Sequence, residues 1–304
     1  MKFIDLFAGI GGIRLGMEQA GHHCVAFCEK DKFAVKSYRE IHNTEGEDFY
    51  DDITTVTDKQ WRKYKGTVDI VCGGFPCQAF SVAGKRKGFD DVRGTMFFYL
   101  ANAVKQIEPR YFIFENVKGL LNHDKGRTFG TILNALDELG YDVSWHLYNS
   151  KDYGVPQNRE RVYIVGHSRR YGRREILPFG REGEQFTKGI GNRKSEGVTK
   201  EVQVRAILTP NRLTRRQKGR RFKDNGEPSF TVNTQDRHGV LIKSKRDLDM
   251  RMITPLESWR LQGFPDELFY RAQAVNSDSQ LYKQAGNSVT VNAAYEVAKQ
   301  LKDD

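Results

Sequence analysis

Phe3-Ile4-Asp5-Leu6-Phe7-Ala8-Gly9-Ile10-Gly11-Gly12 is a strand-length apolar run that breaks into a glycine-rich turn ahead of an amphipathic stretch. It reads as a buried strand feeding a tight turn and a helix, the opening unit of a wound α/β sheet. Glycines in such a turn let backbone approach a ligand closely, and the helix start offers unpaired N–H groups. The glycines at 9, 11 and 12 do not match the G-x-G-x-x-G spacing of dinucleotide sites. Glu29 closes the next strand-like run, about 20 residues on, where this topology puts a ribose-binding carboxylate. A nucleoside cofactor fits the two features together. A plain strand–helix turn with a surface glutamate is the alternative on these residues alone.

Outward from that unit, apolar runs of strand length recur at 23–28, 68–72, 111–115, 143–147 and 161–166. Between them Met96, Phe97, Leu100, Val104 and Ile107 share one helical face, and Phe129, Ile132, Leu133, Leu136 and Leu139 another. Strands spaced by helices predict an α/β fold with a doubly wound, mostly parallel sheet, whose ligands bind at the carboxyl ends of the strands. After Gly166 the alternation gives way to a stretch rich in Gly, Arg and Lys up to about residue 227, holding a short apolar piece at 202–208. Strand-like alternation returns at 229–232 and 239–242. We therefore expect a sheet domain at 1–168, a smaller domain at 169–250, and a segment at 251–304 that returns to the first. Thr254-Pro255-Leu256-Glu257 is a helix start, with a capping threonine, proline first and glutamate third. A last apolar-periodic helix is expected over 289–301, and it should supply the cover beside the first strand.

Charge separates the two parts of the chain. Of a net charge of +10, the stretch from Arg169 to Lys223 holds 17 basic against five acidic residues, leaving the rest close to neutral. A basic segment on a balanced protein suggests a phosphate-facing surface, with a solvated insertion as the alternative. No apolar run approaches ~18 residues, which excludes a membrane helix. The start of the chain has a lysine and an aspartate around its apolar patch and no cleavage signal, so a cytoplasmic protein is expected. Four cysteines in 304 residues fit reduced thiols.

The third run leads into Gly73-Gly74-Phe75-Pro76-Cys77-Gln78-Ala79-Phe80-Ser81, so Cys77 belongs to a loop at the ligand edge, after a stiffening proline. A thiol there can act as a nucleophile. Cys24, Cys28 and Cys72 read as buried structural cysteines, and the spacings of the two cysteine pairs match zinc sites too loosely, with no nearby histidine, so no metal is expected. The fourth run ends in Glu115-Asn116-Val117, putting a carboxylate at the same edge, where partial burial raises its pKa and lets it donate a proton. Gln157-Asn158-Arg159-Glu160-Arg161 then sets two arginines at alternate positions leading into a strand, both on one face.

In this order the motifs resemble those of the C5-cytosine DNA methyltransferases, over nearly the whole chain. The matching stretches are DLFAGIGG at 5–12, GGFPCQAFS at 73–81, GKRKGFDDVRG at 84–94, ENV at 115–117, QNRERVYIVG at 157–166, RMITPLE at 251–257, RLQGFP at 260–265 and QAGNSV at 284–289. The resemblance implies transfer of a methyl group from S-adenosylmethionine to C5 of a cytosine flipped out of double-stranded DNA, since a stacked base is out of reach. It implies that Cys77 adds to C6, that Glu115 holds the ring N3 and exocyclic amine, and that Arg161 holds O2, with Arg159 supporting the phosphate and thiolate region. Phe7, Gly9, Ile10 and Gly11 match the cofactor turn, Glu29 the ribose carboxylate, Asp52 and Ile53 the positions beside the adenine, and Asn287, Ser288 and Val289 the C-terminal wall; Gly74 and Pro76 join the same pocket. Lys30 stands where the family commonly has tryptophan or an aliphatic residue, and its alkyl stem can cover the adenine ring. The 169–250 domain falls at the family's variable target-recognition domain. DNA contacts are then expected from Ser81, Lys85 and Arg93 in the loop, from Arg212, Arg215, Arg216, Arg220 and Arg221 on phosphates, and from Thr231, Gln235 and Arg237 in the recognition core. A monomer is expected, with any cognate restriction endonuclease acting independently. The competing readings are an RNA cytosine methyltransferase on the same scaffold and an inactive DNA-binding homologue. Amino-group methyltransferases are excluded because their Asp/Asn-Pro-Pro-aromatic motif is absent.

Overall fold

Lys2–Leu6 (β1) has four consecutive buried residues, as a strand covered on both faces must. In the computed structural model, which describes residues 1–76, 95–172, 203–210, 220–244 and 248–301, β1 is an interior strand, third from one edge of a seven-stranded sheet. The other strands are His23–Cys28 (β2), Asp48–Tyr50 (β3), Ile70–Gly74 (β4), Tyr111–Val117 (β5), Tyr141–Asn149 (β6) and Glu160–Ser168 (β7), in the order β3-β2-β1-β4-β5-β7-β6. The first five in chain order run parallel, and β7 is antiparallel to both β5 and β6. This is the doubly wound, mostly parallel sheet expected from the alternation of strands and helices. Only β3 had no sequence signal: three half-exposed residues are too short for a periodicity to register.

Alternation along β1 decides which helices cover which face. Phe3 joins one core with Ile13 and Met17 of Gly12–Gln19 (α1), and with Ala293, Ala294 and Val297 of the last helix. Ile4 and Leu6 join the opposite core with Leu100 and Val104 of Met96–Ile107 (α4) and Ile132 and Leu136 of Arg127–Glu138 (α5). Lys32–Ile41 (α2) packs Tyr38 with Ala8 and Phe27, and Asp58–Arg62 (α3) adds Trp61 to the core of Ile4 and Leu6. The last helix, Val291–Ala298 (α9), lies against α1, so the C-terminal segment does supply the cover beside the first strand. Gly16 permits the approach, because a Cβ there would stand 2.6 Å from the Tyr295 backbone nitrogen.

Gln203–Ile207 (β8), Gly239–Lys243 (β9) and Leu248–Met252 (β10) form a separate antiparallel sheet in the order β10-β9-β8, so the small sheet runs past residue 250. The strand expected at 229–232 is not one. Ser229 makes an isolated bridge to Gln157, and both backbone groups of Val232 are bonded to side chains, which leaves no ladder to extend. Pro255–Arg260 (α6) starts with the anticipated capping box between Thr254 and Glu257. With Asp266–Gln273 (α7) and Asp278–Asn287 (α8) it builds a third core around Trp259, Phe269 and Leu281, which also takes in Ile10 and Ile41.

Candidate active site

The ends of β1, β2, β4 and β5 and the start of β7 meet at one edge of the sheet. They surround a cavity of about 390 Å³. It is lined by Phe7, Gly9, Ile10, Glu29, Gly74, Pro76, Glu115, Arg159, Arg161, Asn287, Ser288 and Val289, most of the residues predicted for catalysis and cofactor binding. In a parallel sheet the start of a strand would lie at the far edge. Because β7 is antiparallel, its second residue Arg161 pairs with Val117 at the end of β5.

That reversal brings Arg161 Nε to 2.9 Å from Glu115 Oε1, in an ion pair with little exposure on either side. Burial pushes the Glu115 carboxyl up, with the charges of Arg161 and then Arg159 pulling it back down. Phe75 and Pro76, the last described residues after β4, lie alongside. Asn116 Nδ2 donates to the Phe75 carbonyl at 2.7 Å and so fixes the chain immediately before Pro76. Sequence reading had assigned Asn116 no role. Cys24, Cys28 and Cys72 are buried free thiols, as expected, and burial pushes the Cys28 thiol up to about 12.

Arg159 is almost fully buried, and its terminal nitrogens donate to three carbonyls: Val232, Gly286 and Ser288. Both terminal nitrogens thus have partners within the chain. Only Nε is left without a partner among the described residues. Burial and the neighbouring Arg161 lower its pKa to about 9, which still leaves it charged at neutral pH.

On the other side of the cavity, both Glu29 oxygens are held by backbone, Oε2 by Gly9 N–H and Oε1 by Asp31 N–H, each at 2.7 Å. Asp31 caps α2, and its other oxygen takes Lys283 Nζ at 2.6 Å. Asp31, Lys283 and Gln284 also line the cavity, and the sequence reading missed all three. Asp31 carried a signal, being an Asx cap two residues beyond Glu29, whereas Lys283 meets it only through the fold. α1 opens without a side-chain cap, leaving its first N–H groups available to a ligand.

Four predicted cofactor residues stand outside the lining. Gly11 is the left-handed residue before α1 (φ 79°), packed on the His42 ring. Lys30 holds its ammonium 2.5 Å from Asp52 Oδ2, and its side chain is largely exposed. That pairing, with the backbone and side chain of Thr54, pulls the Asp52 carboxyl down to about 2. Ile53 is buried in the sheet core.

Of the predicted DNA contacts, Cys77's loop neighbours Ser81, Lys85 and Arg93, the basic residues Arg212, Arg215 and Arg216, and Cys77 itself lie outside the described residues. Arg220 is paired with Asp224 and Glu227 and is half exposed, and Arg221 donates to the carbonyls of Thr209 and Pro210. Thr231 Oγ1 donates to Asn158 O at 2.6 Å. Gln235 is exposed, and Arg237 lies 3.9 Å above the Tyr282 ring.

The donor set suits S-adenosylmethionine. A carboxylate already oriented by backbone can take ribose hydroxyls, an uncapped helix start can meet an anionic end, and the cavity falls in the size range of small-molecule sites.

Comparison with known proteins bears on the same arrangement. The family model for C-5 cytosine-specific DNA methylase matches residues 1–303. Type II methyltransferase M.SsoII of Shigella sonnei is 42% identical over 99% of this chain and 79% of its own length. Type II methyltransferase M.HpaII of Haemophilus parainfluenzae is 39% identical over 98% of this chain and 88% of its own. Among solved structures, S. pombe Dnmt2 methyltransferase superposes with a TM-score of 0.69 at 19% identity, covering 98% of this chain and 97% of that one, a likeness of fold.

Proposed function

The chain belongs to the C-5 cytosine-specific DNA methylase family, and from that premise we propose that it transfers the methyl group of S-adenosylmethionine to C5 of a cytosine flipped out of double-stranded DNA. The observation that carries this reading is the buried Glu115–Arg161 pair in one cavity with the backbone-held Glu29. S-adenosylmethionine, when bound, supplies an electrophilic methyl group. What remains to be done falls to this chain's own residues. Cys77 adds through sulfur to C6 of the ring, which makes C5 nucleophilic. Glu115 holds and protonates N3, neutralising the charge that the attack creates. Arg161 fixes the Glu115 carboxyl and presents donors to O2. Once C5 carries the methyl group, loss of its proton and of the thiolate restores the aromatic ring and frees the enzyme. We further read the protein as a cytoplasmic monomer that methylates independently of any endonuclease; none of its described helices is long and apolar enough to cross a membrane.

Bisulfite sequencing of DNA from cells expressing the protein tests the reading. Protected cytosines recurring in one short sequence are expected. Full conversion at every cytosine would overturn it.

Glu29 should fix the cofactor. Charged hydrogen bonds contribute on the order of 1.5–3 kcal/mol, so Glu29→Ala should weaken S-adenosylmethionine binding about tenfold to a hundredfold. Calorimetry giving unchanged affinity would remove Glu29 from the pocket.

A further inference from the structure

Val232, in the segment read as recognition core, is gripped at both ends of its backbone by the strand-entry motif. Its N–H donates to Gln157 Oε1 at 2.8 Å, and its carbonyl accepts from Arg159 Nη1 at 2.8 Å. Both gripping residues are buried, Gln157 completely. The backbone beside them is zipped as well, with Asn158 N–H donating to Ser229 O and Ser229 N–H to Pro156 O. Arg159 then continues across the core: Nη2 donates to Ser288 O at 2.6 Å and to Gly286 O at 3.2 Å, in the wall of the cofactor cavity. A second observation places the same two segments in contact. A Cβ on Gly286 would stand 2.5 Å from the Asn233 carbonyl carbon and 2.6 Å from Thr234 N, so the recognition backbone rests directly on that wall.

A planar guanidinium shared among three fixed carbonyls has no slack. Displacing Val232 O must either break that bond or carry the charge away from Ser288 O, inside a site where an unpaired cation is costly. We propose that Arg159, with Gln157, is the positioning clamp through which the recognition segment 229–238 and the cofactor wall 286–289 respond to each other, so that duplex DNA and cofactor tighten one another's binding. The inference rests on the methyltransferase reading. Linkage makes the effect reciprocal: whatever factor the duplex adds to cofactor affinity, the cofactor adds to duplex affinity.

The test is a binding cycle on the full-length protein, read by calorimetry with S-adenosylhomocysteine. Each protein is titrated alone and when saturated with a duplex carrying the sequence that bisulfite mapping identifies. In the parent the duplex should lower the dissociation constant about fivefold or more, the usual lower bound of such coupling. Gln157→Met and Arg159→Lys should each bring the ratio to within about twofold of one, since methionine cannot hold Val232 and a lysine ammonium cannot span both segments. Glu29→Ala should weaken binding in both states and keep the parent ratio, which separates coupling from simple damage to the pocket. Melting curves identify any variant that fails to fold, and Gly286→Ala, which pushes on Asn233 from the opposite side, supplies a further independent variant. A parent ratio of one, or the parent ratio retained in the folded variants, overturns the clamp. A parent that neither binds S-adenosylhomocysteine nor methylates DNA would instead overturn the functional reading beneath it.

Discussion

Glu115→Gln is expected to slow methyl transfer by roughly two to four orders of magnitude, the usual contribution of a positioned acid. The amide keeps the shape and can still hydrogen-bond the ring, but it has no proton to give as Cys77 attacks. Burial raises the Glu115 carboxyl above the ordinary glutamate range, and the neighbouring arginines limit that rise. The sign of the pH effect follows. The protonated acid is lost as pH rises through the elevated pKa, so the parent's rate should carry an alkaline limb that the glutamine variant lacks. Stability should move the same way, because a carboxyl raised on folding contributes fully below its unfolded pKa and loses that contribution as pH rises through the folded one. The amide removes this dependence, so the variant's melting temperature should vary less with pH than the parent's. Single-turnover rates across pH decide the matter. A variant within tenfold of the parent, or one keeping the alkaline limb, would take the acid role from Glu115.

Glu29 and Glu115 were legible because each closes an apolar run, and parallel strands bring all such endings to one edge. Arg161 was legible only as a motif. Its arrival at that edge depends on β7 running backwards, which no local periodicity encodes. The helix covering β1 could be inferred from its apolar spacing, yet the Lys283–Asp31 contact joins residues 252 positions apart and has no local signature. One local reading failed: the stretch at 229–232 was assigned as a strand by its alternation, but Gln157 and Arg159 take the backbone bonds a strand would need. Within the basic run, Arg220 and Arg221 meet acids and carbonyls of their own segment, contacts that composition does not show. Composition locates such charges, but only the fold says what they face.

Oligonucleotides with 5-fluorocytosine at the target are expected to trap the enzyme as a covalent complex that survives denaturing gels, and only with S-adenosylmethionine present. After Cys77 adds to C6 and C5 accepts the methyl group, release requires C5 to lose its hydrogen as a proton. Fluorine cannot leave as a cation, so the C6–sulfur bond persists. Cys77→Ser should give no trapped complex, because a hydroxyl supplies far less anion at neutral pH than a thiol does. The other cysteines are poor substitutes: Cys24, Cys28 and Cys72 are buried, with their thiols pushed up by that burial. Cys77 follows Pro76, which lines the cavity, and the preceding Phe75 carbonyl is tied down by Asn116 beside the acid. Asn116→Ala should therefore trap more slowly than the parent while trapping to completion, since it loosens the approach without removing the nucleophile. A stable adduct formed equally well by the Cys77→Ser protein would show that another residue attacks the base, and the catalytic assignment built on the sequence from Gly73 to Ser81 would fall with it.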